Sequence, residues 1–121
     1  MPILNILVVD DSPTDRQHLT NILAKSGYQV STAESAEEAL VKVKQLKPDL
    51  VLMDIVMPGQ NGFQATRELS KNAATKHIPV IICSTKGEET DKVWGMRQGA
   101  RDYIVKPISK ADLLAKISAL G

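Results

Sequence analysis

Three carboxylates, a hydroxyl and an ammonium hold equivalent places in this chain. Asp10 and Asp11 follow the apolar run Ile6-Leu7-Val8-Val9, and Asp54 follows Leu50-Val51-Leu52-Met53. Ser84 closes Val80-Ile81-Ile82-Cys83, and Lys106 closes Tyr103-Ile104-Val105. Unbroken apolar runs read as strands buried on both faces, the pattern of a parallel sheet. Such a sheet points all its strand C-termini at one rim, where α/β proteins bind ligands. The five side chains therefore converge on one edge. Close carboxylates repel one another unless a cation intervenes. A donor set made only of oxygen suits a hard ion, and Mg²⁺ commonly takes one or two carboxylates, waters and a phosphate oxygen. His18 and His77 read as ordinary surface histidines and Cys83 as a buried reduced thiol, so no zinc ligand set stands beside the acids. A carboxylate can also be a nucleophile, accepting a phosphoryl group as an aspartyl phosphate. The protein then needs mainly to position groups in line and neutralise oxygen charge. Ser84 suits one phosphoryl oxygen and Lys106 another.

The elements that must hold these groups can be read in turn. A first strand over 3–9 leads into a helix with Ser12 as cap, Pro13 in its first turn, Asp15 favourable to its dipole and Gly27 as its left-handed end. Residues 28–32 alternate and predict a strand nearer an edge. Ser35 and Glu38 have the spacing of a capping box, and Pro48 ends the helix that follows. Beyond Asp54, the Pro58-Gly59 turn precedes a helix over 61–69, with 70–76 as a loop. The fourth strand spans 78–84, where Pro79 fits only the first residue. A helix over 88–98, weakened by Gly95, a strand over 102–105 and a last helix capped by Ser109 complete the chain. Five strands alternating with five helices predict a single α/β domain over 1–121. Right-handed crossovers put helices on both faces of its sheet.

Composition bounds the function. The chain has 121 residues, 43% hydrophobic and 24% charged, with a formal net charge of +1 and acids and bases intermixed. No basic block supports nucleic-acid binding. No apolar run approaches the roughly 20 residues of a membrane span, and no signal peptide opens the chain. These features predict a cytoplasmic protein.

With these residues in view, the chain resembles the receiver domain of two-component response regulators. The resemblance rests on Asp10-Asp11, the run from Asp54 to Gly59, Ser84-Thr85 and Lys106-Pro107, and it covers the whole chain. It implies a flavodoxin-like, doubly wound fold with strand order 2-1-3-4-5. It implies phosphoryl transfer from a sensor histidine kinase to Asp54, with Mg²⁺ held by Asp54, Asp11, the backbone carbonyl of Val56 and, through water, Asp10. Lys106 would precede a cis peptide bond. Ser84 and Tyr103 would form the switch, Ser84 drawn to the phosphoryl group and the Tyr103 ring turning inward. The last two helices and fifth strand, with Trp94, Met96 and Tyr103, would meet a downstream protein. Such a chain is a signalling module rather than an enzyme.

A closer likeness runs through Asp11 to Thr14, Met53 to Gly59, Asn61 to Arg67 and Thr90 to Tyr103. It is to the PilH-type stand-alone receivers of the chemotaxis-like system that governs type IV pili and twitching motility. Against the better-known chemotaxis receiver, Val56 is apolar in place of an amide and Lys86 basic in place of an acid. The rival readings are a Mg²⁺-dependent phosphohydrolase with an Asp nucleophile, a flavin carrier and a phosphate-sink receiver. The hydrolase normally needs a second acid near the nucleophile, but Ile55 and Val56 follow Asp54. The flavin carrier needs a Ser/Thr/Gly-rich phosphate loop where this chain has Asp10-Asp11.

Overall fold

Strands β1 (Asn5–Val9), β3 (Leu50–Met53) and β4 (Val80–Ser84) are buried along almost their whole length, as unbroken apolar runs require. β2 (Gln29–Ala33) and β5 (Asp102–Val105) alternate more and form the two edges. The computed structural model describes residues 2–120, and within them the five strands make one parallel sheet ordered β2-β1-β3-β4-β5. Sequence patterning thus leads to the expected doubly wound topology.

Strand alternation sorts the core by face. Leu7, Val9, Val51, Met53 and Val80 pack against Ala36, Ala39 and Val43 of α2 (Ala36–Leu46) and Ala65 and Leu69 of α3 (Gly62–Lys71). Ile6, Val8, Leu50, Leu52, Ile81 and Ile104 face the other way, onto Leu19 and Leu23 of α1 (Pro13–Lys25) and Leu113 and Ile117 of α5 (Lys110–Leu120). The remaining helix, α4 (Glu89–Arg97), lies over Ile82 and Tyr103 at Gly95, where an added Cβ would come within 2.8 Å of Ile82 Cδ1. The glycine that weakens this helix in isolation therefore lets it approach the sheet.

Several boundaries differ from the sequence reading, each for a local reason. β1 begins at Asn5 because the Leu4 and Asn5 amides donate to Asp49 Oδ2, both at 3.0 Å, instead of to a strand. β4 begins after Pro79, which contributes only its carbonyl, accepting from Val51 N–H at 3.0 Å. β2 starts at Gln29 rather than Tyr28, whose amide is taken by Leu23 O in the turn that closes α1 around Gly27, at φ +94°. α3 runs on to Lys71, two residues past the expected end; Ser70 Oγ bonds to Thr66 O at 2.7 Å and Gln98 O at 2.9 Å. The capping box expected at Ser35 forms only by half. Ser35 Oγ accepts from Glu38 N–H at 3.1 Å, but the Glu38 carboxylate accepts from Glu34 N–H and pairs with Lys42 at 2.8 Å. A reciprocal box is formed by Asn61 and Gln64, heading α3.

Strand register levels the chemistry. Val9 lies opposite Met53 and Ser84 opposite Val105, so the residues that follow emerge together at the rim. Backbone bonds carry the ladder one step further, from Asp54 N–H to Val9 O at 2.9 Å and from Lys106 N–H to Ser84 O at 2.8 Å. The turn beneath Asp54 is equally tight, since a Cβ on Gly62 would sit 2.0 Å from the Asp54 carbonyl oxygen. Gly62→Ala must push the Asp54 backbone aside and should lose at least ~2 kcal/mol of stability in urea unfolding. An unchanged midpoint would show that the backbone here yields freely.

Candidate functional site

Asp10 is 1% exposed and fully engaged. Its Oδ1 accepts from Ser12 N–H at 2.9 Å, its Oδ2 from Lys106 Nζ at 2.7 Å and its carbonyl from Arg16 Nη1 at 2.8 Å. Asp11, next in the chain, is exposed. Asp54 is buried at the end of the central strand. One carboxylate oxygen from each of Asp10, Asp11 and Asp54 falls within 4.8 Å of the others. Lys106 reaches over from the end of β5, its Nζ 2.7 Å from Asp10, 2.9 Å from Asp15 and 3.5 Å from Asp54. Its peptide bond to Pro107 is cis.

The electrostatics follow from this crowding. Burial, then the Asp10 charge, raise the Asp54 pKa to about 6 against the opposing pull of Lys106. Burial works against the Lys106 charge, but the hydrogen bonds to Asp10 and Asp15 outweigh it and hold the ammonium above the ordinary lysine range. Burial pushes the Cys83 thiol up to about 12, as expected of an inert core cysteine.

Ser84 is fully buried, and its Oγ accepts from Lys86 N–H at 3.2 Å. The Tyr103 hydroxyl donates to the Lys86 carbonyl, so strand end and aromatic ring grip the same loop residue. The ring lies inward, packed with Ile55, Ile82 and Ala100. The Val56 side chain is exposed. Trp94 and Met96 are 49% and 47% exposed, and Val93 and Val105 join them at the surface. His18 and His77 are exposed, outside the acidic cluster.

Sequence reasoning missed two residues. Asp15 was assigned only to the helix dipole, yet it is the second hydrogen-bonding partner of Lys106. Arg16 anchors the Asp10 carbonyl and pairs with Glu34 at 3.2 Å. No local signal marks either contact: in sequence Asp15 is an acid in the first turn of α1 and nothing more.

The raised Asp54 pKa has a thermodynamic consequence. The folded protein holds that proton up to about pH 6, whereas the ordinary carboxyl releases it near 3.8. Between those values the folded state binds more protons, so this group's contribution to stability falls as pH rises through the window. Without metal, Asp54→Asn should be more stable than wild type at neutral pH by ~2 kcal/mol, a gain that shrinks towards pH 4. Urea unfolding of both proteins across that range checks it, and parallel pH profiles would contradict it.

A parallel sheet in this order, with an acidic cluster and a lysine at its C-terminal rim, defines a class. Residues 6–118 match the response regulator receiver domain family, and the chain belongs to it. It is 59% identical over 115 residues to Protein PilH of Pseudomonas aeruginosa, covering 95% of each chain. It is also 38% identical to the Escherichia coli phosphate regulon transcriptional regulatory protein PhoB, covering 95% of this chain and 50% of that one. Among solved structures, Vibrio cholerae chemotaxis protein CheY4 superposes with a TM-score of 0.91 at 29% identity, covering 98% of this chain and 99% of that one. A chain of the CheX–CheY–BeF₃–Mg²⁺ complex from Borrelia burgdorferi superposes with a TM-score of 0.91 at 32% identity, covering 97% and 88%. Among the described residues no helix is long and apolar enough to cross a membrane.

Proposed function

We propose that this protein is a phosphorylation-controlled receiver in which Asp54 accepts a phosphoryl group from the histidine of a sensor kinase. The observation that carries the reading is the meeting of Asp10, Asp11, Asp54 and Lys106 at one rim. The three acids offer only oxygen donors, and burial, then the Asp10 charge, raises the Asp54 pKa. That is the chemistry a hard dication relieves, so the site fits Mg²⁺. Asp10, Asp11, Asp54 and the Val56 carbonyl would hold it, and when bound it would neutralise charge on the acceptor and the transferred oxygens. The solved complex containing BeF₃ and Mg²⁺ supports this choice by likeness.

An Asp54 carboxylate oxygen attacks phosphorus as the bond from phosphorus to the donor imidazole nitrogen breaks. The Lys106 ammonium then pairs with a phosphoryl oxygen, drawn from its carboxylate partners by the higher local charge. The Ser84 hydroxyl donates to another oxygen and gives up its bond from Lys86 N–H. Because Lys86 is also the partner of Tyr103, that loss is felt by the ring. The phosphoryl group thereby favours one arrangement of loop and ring over another, which is what switching requires.

The readout surface is α4, β5 and α5, where Trp94, Met96, Val93 and Val105 expose apolar area to a downstream protein. Identity with Protein PilH across nearly the full length supports a role in a chemotaxis-like pathway controlling type IV pili and twitching motility. Such a receiver acts in the cytoplasm, either on a target or as a sink draining a shared kinase.

Incubation with Mg²⁺ and a small phosphodonor should add one phosphoryl group, seen by intact mass. Asp54→Ala should abolish it, and labelling that persists in the variant would remove Asp54 from the role. Lys106→Ala should still fold but fail to transmit. Its amide spectra near Lys86 and Tyr103 should stay unchanged on phosphorylation, whereas a full wild-type response would acquit the lysine.

A further inference from the structure

The Lys106 ammonium has three carboxylates within reach and does not share itself equally. It hydrogen-bonds Asp10 at 2.7 Å and Asp15 at 2.9 Å, and stands 3.5 Å from Asp54, the acid it would have to serve. Asp10 is held independently by Ser12 N–H and is buried, so its place is set by the strand end and the turn after it. Asp15 differs. It projects from the first turn of α1, its side chain is 43% exposed, and Lys106 is its one side-chain hydrogen-bonding partner among the described residues. Its charge suits the helix N-terminus whether or not Lys106 is there. An ammonium has three N–H donors. Two are committed to Asp10 and Asp15, in directions set by those acids.

We infer that Asp15 is a positioning residue that holds Lys106 back from Asp54 in the resting protein, so that a phosphoryl group arriving on Asp54 must draw the ammonium off Asp15. The inference rests on Asp54 being the phosphoacceptor. Because Asp15 is half-exposed, the contact is one that water can replace. A phosphoryl group carries more charge than a carboxylate and presents three oxygens, so it wins the ammonium once it arrives. Asp15 then sets how much of the gain is spent on releasing Lys106. Its removal should favour the phosphorylated arrangement without adding any contact to it.

The test uses the intact chain with Mg²⁺ and beryllofluoride, a stand-in for the phosphoryl group, and measures equilibrium affinity by amide shifts. It compares wild type, Asp15→Asn, Asp15→Ala, Lys106→Met and the double variant Asp15→Asn/Lys106→Met. Both Asp15 variants should bind beryllofluoride about three-fold more tightly than wild type, a factor typical of losing one half-exposed ion pair. The gain should vanish in the Lys106→Met background, since Asp15 acts only through that lysine. A purely structural Asp15 would lower the melting temperature of both backgrounds alike and leave the affinities equal. Unchanged or weaker binding by the Asp15 variants, or an equal gain without Lys106, overturns the inference. If wild type binds no beryllofluoride, or Asp54→Ala binds it as well as wild type, the phosphoacceptor reading fails first and takes the inference with it.

Discussion

Lys106 Nζ lies within 3.5 Å of three carboxylates that arrive from two other parts of the chain, Asp10 and Asp15 from around the start of α1 and Asp54 from the end of β3. Without that ammonium the rim would gather uncompensated negative charge at the end of a nearly water-free sheet. Two of these acids, Asp10 and Asp54, are buried, and unpaired buried charge is among the most expensive features a fold can carry. Lys106 answers only part of the demand, since the Asp54 pKa still stands at about 6.

The rest of the molecule serves to hold these charges in register. Parallel strands with both faces covered place successive C-termini on one rim, and the pairings of Val9 with Met53 and of Ser84 with Val105 level them. The turn after Asp54 runs so close to Gly62 that it allows no side chain there. On the other side, the loop after β4 is held at Lys86 from two directions, by Ser84 Oγ and by the Tyr103 hydroxyl. A rigid acid site beside a loop held by two exchangeable hydrogen bonds is the arrangement a two-state switch needs. Val105, one of the exposed apolar residues, stands beside that loop at Gly87.

Much of this was legible in the chain itself. Apolar runs that end in Asp10, Asp54, Ser84 and Lys106 mark buried parallel strands because a strand covered on both faces has no polar side. Alternation with capped helices then leaves few topologies, and the observed order is the one that the family resemblance implies. The caps at Ser12, Asn61 and Ser109 are local chemistry and were readable as local sequence for Ser12 and Ser109, while the box at Asn61 was overlooked. What the chain's own order could not reveal was anything decided by a partner distant in sequence. The extension of α3 turned on Ser70 meeting Gln98.

The residue types at the rim, their place after each strand and the sheet that collects them were determined by sequence alone, because burial and periodicity are properties of short stretches. Only the tertiary structure decided how the ammonium is divided. Asp15 and Lys106 are 91 residues apart, and no local pattern states that a helix-dipole acid will also take a lysine from the last strand. The Tyr103 ring likewise chose the inside because Ile55, Ile82 and Ala100 leave it a packed seat and Lys86 offers its carbonyl. Such outcomes depend on the relative free energies of competing long-range contacts, which exist only once the chain has closed on itself.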